Sequence, residues 1–244
     1  MSPHGLPDWG LTGPKHVTYG LDDVGEAVAR LGSPNVWDRR GDVILVDDFR
    51  YGLGSPAFNV AFAGGSYGLV TDPVMGGGYS VRLTTAAAAG SFVEAIWHII
   101  PRVQSAYGFE CWFTLAEFIG SYHFGLQYYD GVSAHLVDIR LNVTPLTLAY
   151  LSSGGVWVPL PPPPNMKPND ILFHVLKVVA DMLTDEHVRL IIDGVTYPLL
   201  GIPVRVVPYV ANREILVAAH VNGNGVFADD AYLDRVIVTQ NEPT

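Results

Sequence analysis

A saccharide is held by aromatic rings set beside planar polar groups, because a sugar ring has apolar faces and a hydroxyl-bearing edge. Glu110, Trp112, His123, Gln127, Tyr129, Asp138 and Arg140 supply that mixture within one stretch of the chain. The competing reading is that Trp112 packs beneath a loop or the N-terminal arm and the charges are solvated or paired. Hydrolysis of a glycosidic bond needs more, namely two carboxylates on one face. A strand places residues i and i+2 on one face, yet no two Asp or Glu residues are so spaced. A pair across strands, Glu110 with Asp138, would have to stand ~5.5 Å or ~6.5 to 9.5 Å apart. No residue is therefore assigned a catalytic role.

Other chemistries find less. Asn222, Asn224, Asp229 and Asp230 lie in one Gly-rich segment and offer hard oxygens to calcium, or form a solvated turn. Gly64-Gly65-Ser66-Tyr67-Gly68 fits the pattern of a nucleophile elbow, which requires a helix directly after the serine. Leu69 to Pro73 reads as strand and turn instead, so a glycine-rich turn is expected. The eight histidines include no H-E-x-x-H pair, and no phosphate-binding G-x-x-x-x-G-K-[ST] loop exists. The single cysteine, Cys111, allows neither an internal disulfide nor a thiolate metal cluster. His98, His135, His174 and His220 fall in expected strands and read as structural imidazoles.

The elements that must position these residues are strands. From Val43 onward, short β-rich runs alternate with Gly, Pro, Asn and Asp, the signature of an antiparallel sandwich. Among these runs are Val43 to Asp48, Phe58 to Ala63, Phe92 to Ile100, Tyr107 to Ala116, Tyr122 to Asp130, Ala134 to Leu141, His187 to Ile192 and Ile215 to Val221. Asp193-Gly194 suits a two-residue hairpin, which needs positive φ at its centre. Pro159 and Pro161 to Pro164 lack amide donors and read as a stiff connection. In Tyr107 to Ala116, the residues Tyr107, Phe109, Cys111, Phe113 and Leu115 alternate with Gly108, Glu110, Trp112 and Thr114. The next two runs alternate likewise, so three successive strands are expected to share one polar and aromatic face. Residues 1–42 read as an arm with a helix over Leu21 to Leu31, and 43–244 as the sandwich domain. Asp23 and Glu26 have capping-box spacing, and Leu21, Val24, Val28 and Leu31 form a stripe. That stripe must dock on the sandwich or on another subunit.

Of 244 residues only 16% are charged, and the net charge is -10. Such a balance disfavours a grip on nucleic acid phosphates. The N-terminal residues lack the apolar stretch of a signal peptide, and no run approaches the ~20 apolar residues of a membrane helix. Without a secretory signal, the sequon Asn142-Val143-Thr144 reads as accidental. A mean hydropathy of +0.25 in a chain with 3 lysines suggests that copies of the chain cover part of its surface, in a homo-oligomer or larger assembly. A large aliphatic core would explain it as well.

Three segments carry a resemblance: Val46-Asp47-Asp48-Phe49, the hairpin Asp181 to Gly194, and Tyr232-Leu233-Asp234-Arg235-Val236-Ile237-Val238. They resemble the concanavalin A-like, laminin-G-type jelly rolls over about residues 43 to 240. The arm, with Asp38-Arg39-Arg40-Gly41-Asp42, is similar in style to uncharacterised phage-associated proteins. The resemblance implies two stacked antiparallel sheets, one concave, with binding sites on the concave face or in rim loops, where calcium is often held. The expectation is thus an all-β jelly roll with a short helical arm, acting as a non-catalytic structural or attachment protein, with a virion as one setting. A carbohydrate-binding module is the alternative, and a glycoside hydrolase the third reading.

Overall fold

The computed structural model describes residues 40–244, apart from 56, 76, 77, 102, 164 and 165. The arm and its expected helix lie outside the described residues. Contacts divide the chain into a unit of Met1–Arg40 and a unit of Gly41–Thr244, and the second is described below.

Sixteen strands are seen among the described residues: β1 (Asp42–Asp47), β2 (Phe58–Ala63), β3 (Ser66–Val70), β4 (Ser80–Thr84), β5 (Phe92–Ile99), β6 (Ala106–Leu115), β7 (Ile119–Tyr129), β8 (Ser133–Asn142), β9 (Thr147–Leu151), β10 (Trp157–Leu160), β11 (Asn169–Asp181), β12 (Glu186–Ile192), β13 (Val195–Pro203), β14 (Arg205–Pro208), β15 (Glu214–Gly223) and β16 (Asp230–Gln240). They form two antiparallel sheets. Sheet A runs β13-β12-β11-β6-β16-β4-β3, with β1 also on β16. Sheet B runs β10-β9-β8-β7-β15-β5-β2, with β14 also on β8. This is the all-β jelly-roll sandwich that the strand pattern and the resemblance implied.

Alternation built the core. Tyr107, Phe109, Cys111, Phe113 and Leu115 of β6 point inward and are fully buried. They meet Tyr122, Phe124, Leu126 and Tyr128 of β7: the Phe113 ring lies 4.8 Å from Phe124 and 5.4 Å from Tyr122, and Tyr107 lies 6.2 Å from Tyr128. β6 and β7 therefore face each other from opposite sheets. The short connection through Ala116, Glu117 and Phe118 crosses the sandwich instead of folding a hairpin within one sheet. That corrects the expectation of three successive strands with a common outer face.

Local signals are honoured at several points. Asp193 (φ 47°) and Gly194 (φ 80°) form the two-residue turn between β12 and β13, with Ile192 paired to Val195. Pro159 sits in β10, the edge of sheet B, where a missing donor costs no ladder bond on the open side. Asp47 ends β1 by accepting a hydrogen bond from Trp97 Nε1 (2.9 Å) and one from Phe49 N (3.1 Å). Phe49, in a left-handed conformation, is thereby turned into the core beside Phe58 and Trp97. The glycine-rich stretch that matched a nucleophile elbow is the β2–β3 turn and β3 itself. A side chain on Gly65 would collide with Val93 and the Thr84 carbonyl, so close approach explains that glycine without any role in catalysis.

Candidate functional site

The outer face of sheet B carries a cleft of about 350 Å³. Its geometry follows from register. Glu94, His220, His123 and Arg140 form one cross-strand row over β5, β15, β7 and β8. One row along, Ala218, Gly125 and Asp138 are adjacent. The two small residues leave a floor with no side chain above it, and the larger neighbours make the walls. Gln127 lies beyond the floor on one side, and Asn222 and Ser121 on the other.

Two imidazoles cross the cleft with ring centres 5.5 Å apart. Each has a carboxylate behind it: His123 Nδ1 is 3.5 Å from Asp138 Oδ2, and His220 Nδ1 is 3.8 Å from Glu94 Oε1. His220 Nε2 also donates to Asn222 Oδ1 at 2.9 Å. Both nitrogens of His220 thus face oxygen acceptors, which only the imidazolium satisfies. Burial works against that charge, but Glu94, Asn222 and the more distant Asp138 outweigh it, and the pKa of His220 is raised. Asn222 Nδ2 donates in turn to Ser121 Oγ at 3.2 Å, which stands 3.3 Å from His123 Nε2.

The remaining walls are aromatic. Trp157 meets the edge of His123 at 5.3 Å, and Arg140 lies over its ring at 4.4 Å. Tyr129 Oη donates to Gln127 Oε1 at 2.7 Å, and its ring lies 5.3 Å from Tyr209. Burial raises the Tyr129 pKa, with Tyr209, Glu214 and Glu94 adding to it, so the phenol keeps the proton it donates. With its oxygen so occupied, Gln127 turns Nε2 toward the floor, 3.8 Å from where a side chain on Gly125 would begin. Asp138 Oδ1 is buried with no hydrogen-bond partner among the described residues.

Of the residues singled out in the sequence, His123, Gln127 and Asp138 line this cleft, and Tyr129 and Arg140 flank it. Glu110 and Trp112 do not belong to it. They lie on β6, on the face of sheet A that turns away from sheet B, where both are buried and Trp112 Nε1 donates to Glu110 Oε1 at 3.1 Å. The Glu110 and Asp138 pair is thus split between opposite sheets. Sequence reasoning missed Glu94, Gly125, Trp157 and Ala218, read His220 as structural, and gave Asn222 to calcium. Alternation within Phe92 to Ile100 and Ile215 to Val221 does put Glu94 and His220 on outward faces, but only the order β8-β7-β15-β5 brings them to His123.

The four residues singled out for calcium are engaged in hydrogen bonds of their own. Asn222 serves His220. Asn224 Oδ1 accepts from Val226 N and Phe227 N, and Asp229 accepts from Phe118 N and Asp230 N. Asp230 Oδ1 accepts from Thr84 Oγ1 at 2.5 Å. These oxygens hold loops by hydrogen bonds. Among the described residues no group of three or more His, Cys, Asp or Glu is arranged to hold a metal ion.

No protein-family profile matches the chain, and no curated protein matches its sequence. Solved structures do. An endo-beta-1,4-glucuronan lyase from the fungus Trichoderma reesei aligns with a TM-score of 0.55 and 12% identity, over 81% of this chain and 95% of that one. A carbohydrate esterase from the Shiga toxin-encoding bacteriophage phi24B gives 0.53 and 18%, over 83% and 100%. Basic winged bean lectin, solved with Tn-antigen, gives 0.51 and 7%, over 82% and 98%. The fold is the concanavalin A-like jelly roll. At these identities the likeness establishes the fold alone, and the cleft on this jelly roll must be interpreted from its own residues. No helix among the described residues is long and apolar enough to cross a membrane.

Proposed function

We propose that this protein binds carbohydrate in the cleft on the outer face of sheet B and does not cleave it. The observation that carries the reading is the buried, unpartnered Asp138 Oδ1 above the floor of Gly125 and Ala218. A buried acceptor without a donor costs free energy, and a sugar hydroxyl is a donor of the right size for this space. Gln127 Nε2 offers the complementary donor across the floor. The proteins of similar fold named above include a lectin and two enzymes acting on carbohydrate, which supports a saccharide ligand without fixing it.

Binding without turnover is supported by the disposition of the carboxylates. Glu94 and Asp138 stand on strands three spacings apart, ~14 Å between backbones. His220 and His123 lie between them, where an attacking water or leaving oxygen would have to be. Each carboxylate is engaged by an imidazole. A glycan array carrying neutral, uronate and amino-sugar oligosaccharides tests the proposal. Wild type should be retained on at least one class, with no release of reducing ends. Asp138→Ala should weaken retention about tenfold or more, as loss of a charged hydrogen bond would. Gly125→Leu should abolish it by filling the floor. Retention unchanged in both variants would refute the site, and reducing ends released from any oligosaccharide would refute the non-catalytic part.

A further inference from the structure

The cleft is the middle of a longer feature. β7 sends His123, Gly125, Gln127 and Tyr129 to the outer face in line, so His123 and Tyr129 are ~20 Å apart along the strand. An aromatic group adjoins each of these two residues. Trp157, across the sheet on β10, reaches His123 with a partly exposed ring that lies under Arg140. Tyr209 adjoins Tyr129 and is 54% exposed, although it packs against another ring and belongs to no core. A site for one terminal sugar needs a single platform. Rings at both ends of a polar floor suit a ligand whose pyranose units continue past the floor in both directions.

Charge narrows the class. Both carboxylates in the cleft already face an imidazole, Glu94 with His220 and Asp138 with His123, and the Arg140 guanidinium lies flat against the Trp157 ring. What stays open is hydrogen bonding, through Asp138 Oδ1, the Gln127 amide and the buried Arg140 Nε, which has no partner among the described residues. We infer that the groove holds an internal run of an uncharged polysaccharide, with rings stacked near Trp157 at one end and Tyr209 at the other, and hydroxyls read by Asp138 and Gln127 between them. This rests on the carbohydrate reading above.

Titration calorimetry with β-1,4-linked glucose, mannose and xylose oligomers of two to six units, and with glucuronate oligomers of the same lengths, tests it. Affinity for one neutral series should climb with length and level off at about four or five units, the span set by β7. Tyr209→Ala and Trp157→Ala should each weaken the neutral hexamer about tenfold while changing the dimer less than about twofold. Unchanged melting temperatures would show that both variants fold. Affinity independent of length, or equal loss for dimer and hexamer, would overturn the inference in favour of a terminal-sugar site while the carbohydrate reading survives. Tighter binding of the glucuronate series would overturn the uncharged class. Binding of no oligomer, together with an unresponsive glycan array, would remove the underlying reading as well.

Discussion

At the scale of single residues, two histidines show how surroundings shift a pKa in opposite directions. His220 sits between oxygens and its pKa is raised; His187 has no exposure, packs 5.6 Å from Tyr150 between the sheets, and burial lowers its pKa to about 4. The unfolded chain therefore takes up a proton at residue 187 below pH ~6.5 that the folded chain resists until about pH 4. Because the folded pKa is depressed, stability is lost as pH falls through that window, by on the order of 3 kcal/mol. His220 works in the opposite sense: its contribution is complete below pH ~6.5 and is lost as pH rises through its raised pKa. Urea denaturation at pH 7 and pH 4.5 should show a steep acid loss in wild type and a visibly shallower one in His187→Phe, which keeps a ring against Tyr150. An identical pH dependence in the variant would sink the assignment.

At the scale of elements, the end of β16 is fastened by charge. Glu242, fully buried, accepts from Thr239 Oγ1 at 2.5 Å and pairs with Lys177 of β11 at 2.7 Å and with Arg189 of β12. Gly108 of β6 makes room for it, since a side chain there would begin 2.8 Å from Glu242 Oε1 and 2.4 Å from Thr239 Oγ1. Removing one partner of a buried ion pair costs about 3 to 5 kcal/mol. Glu242→Ala should therefore lower the midpoint of unfolding sharply, and Gly108→Val should do so by overpacking. A surface-like change below about 0.5 kcal/mol in Glu242→Ala would show that the tail is not fastened this way. None of this was legible in the sequence, because Lys177, Arg189 and Glu242 belong to no shared pattern. Strand existence was legible, since period-two alternation is a local property; only β3 was read in part, through Leu69 and Val70, its start hidden behind the glycines of its turn. Sheet membership was not. Alternation says that Glu110 and His123 both point away from the core, but not that β6 and β7 belong to opposite sheets. That is why only His123, Gln127 and Asp138 of the cleft's lining were found and why Glu110 and Trp112 were wrongly added to it.

At the scale of the whole molecule, the low charge and positive hydropathy still call for an explanation. The large inward faces absorb much of it. What they leave is concentrated where the sheets end: β2 is the last strand of sheet B and β3 the last of sheet A, and the two are joined by the turn at Gly64 and Gly65. Phe62 (53% exposed) and Tyr67 (43%) stand on these strands with rings 6.0 Å apart. Among the described residues the outer edges of β2 and β3 are unpaired, and such edges bearing apolar side chains, with no lysine to blunt them, are templates for another edge. We expect a second copy of the chain to pair there, which gives the composition's suggestion of assembly a place on the molecule. Light scattering on the full-length protein should report a mass above 26.4 kDa that falls toward that value in a Phe62→Lys, Tyr67→Lys double variant. Both positions are exposed, so the variant should keep its melting temperature. The cleft lies on the outer face of β5, β15, β7 and β8, so carbohydrate retention should survive dissociation per subunit while avidity for a multivalent surface falls. A wild-type monomer would end the assembly reading, and an oligomer indifferent to both lysines would move the contact off these edges.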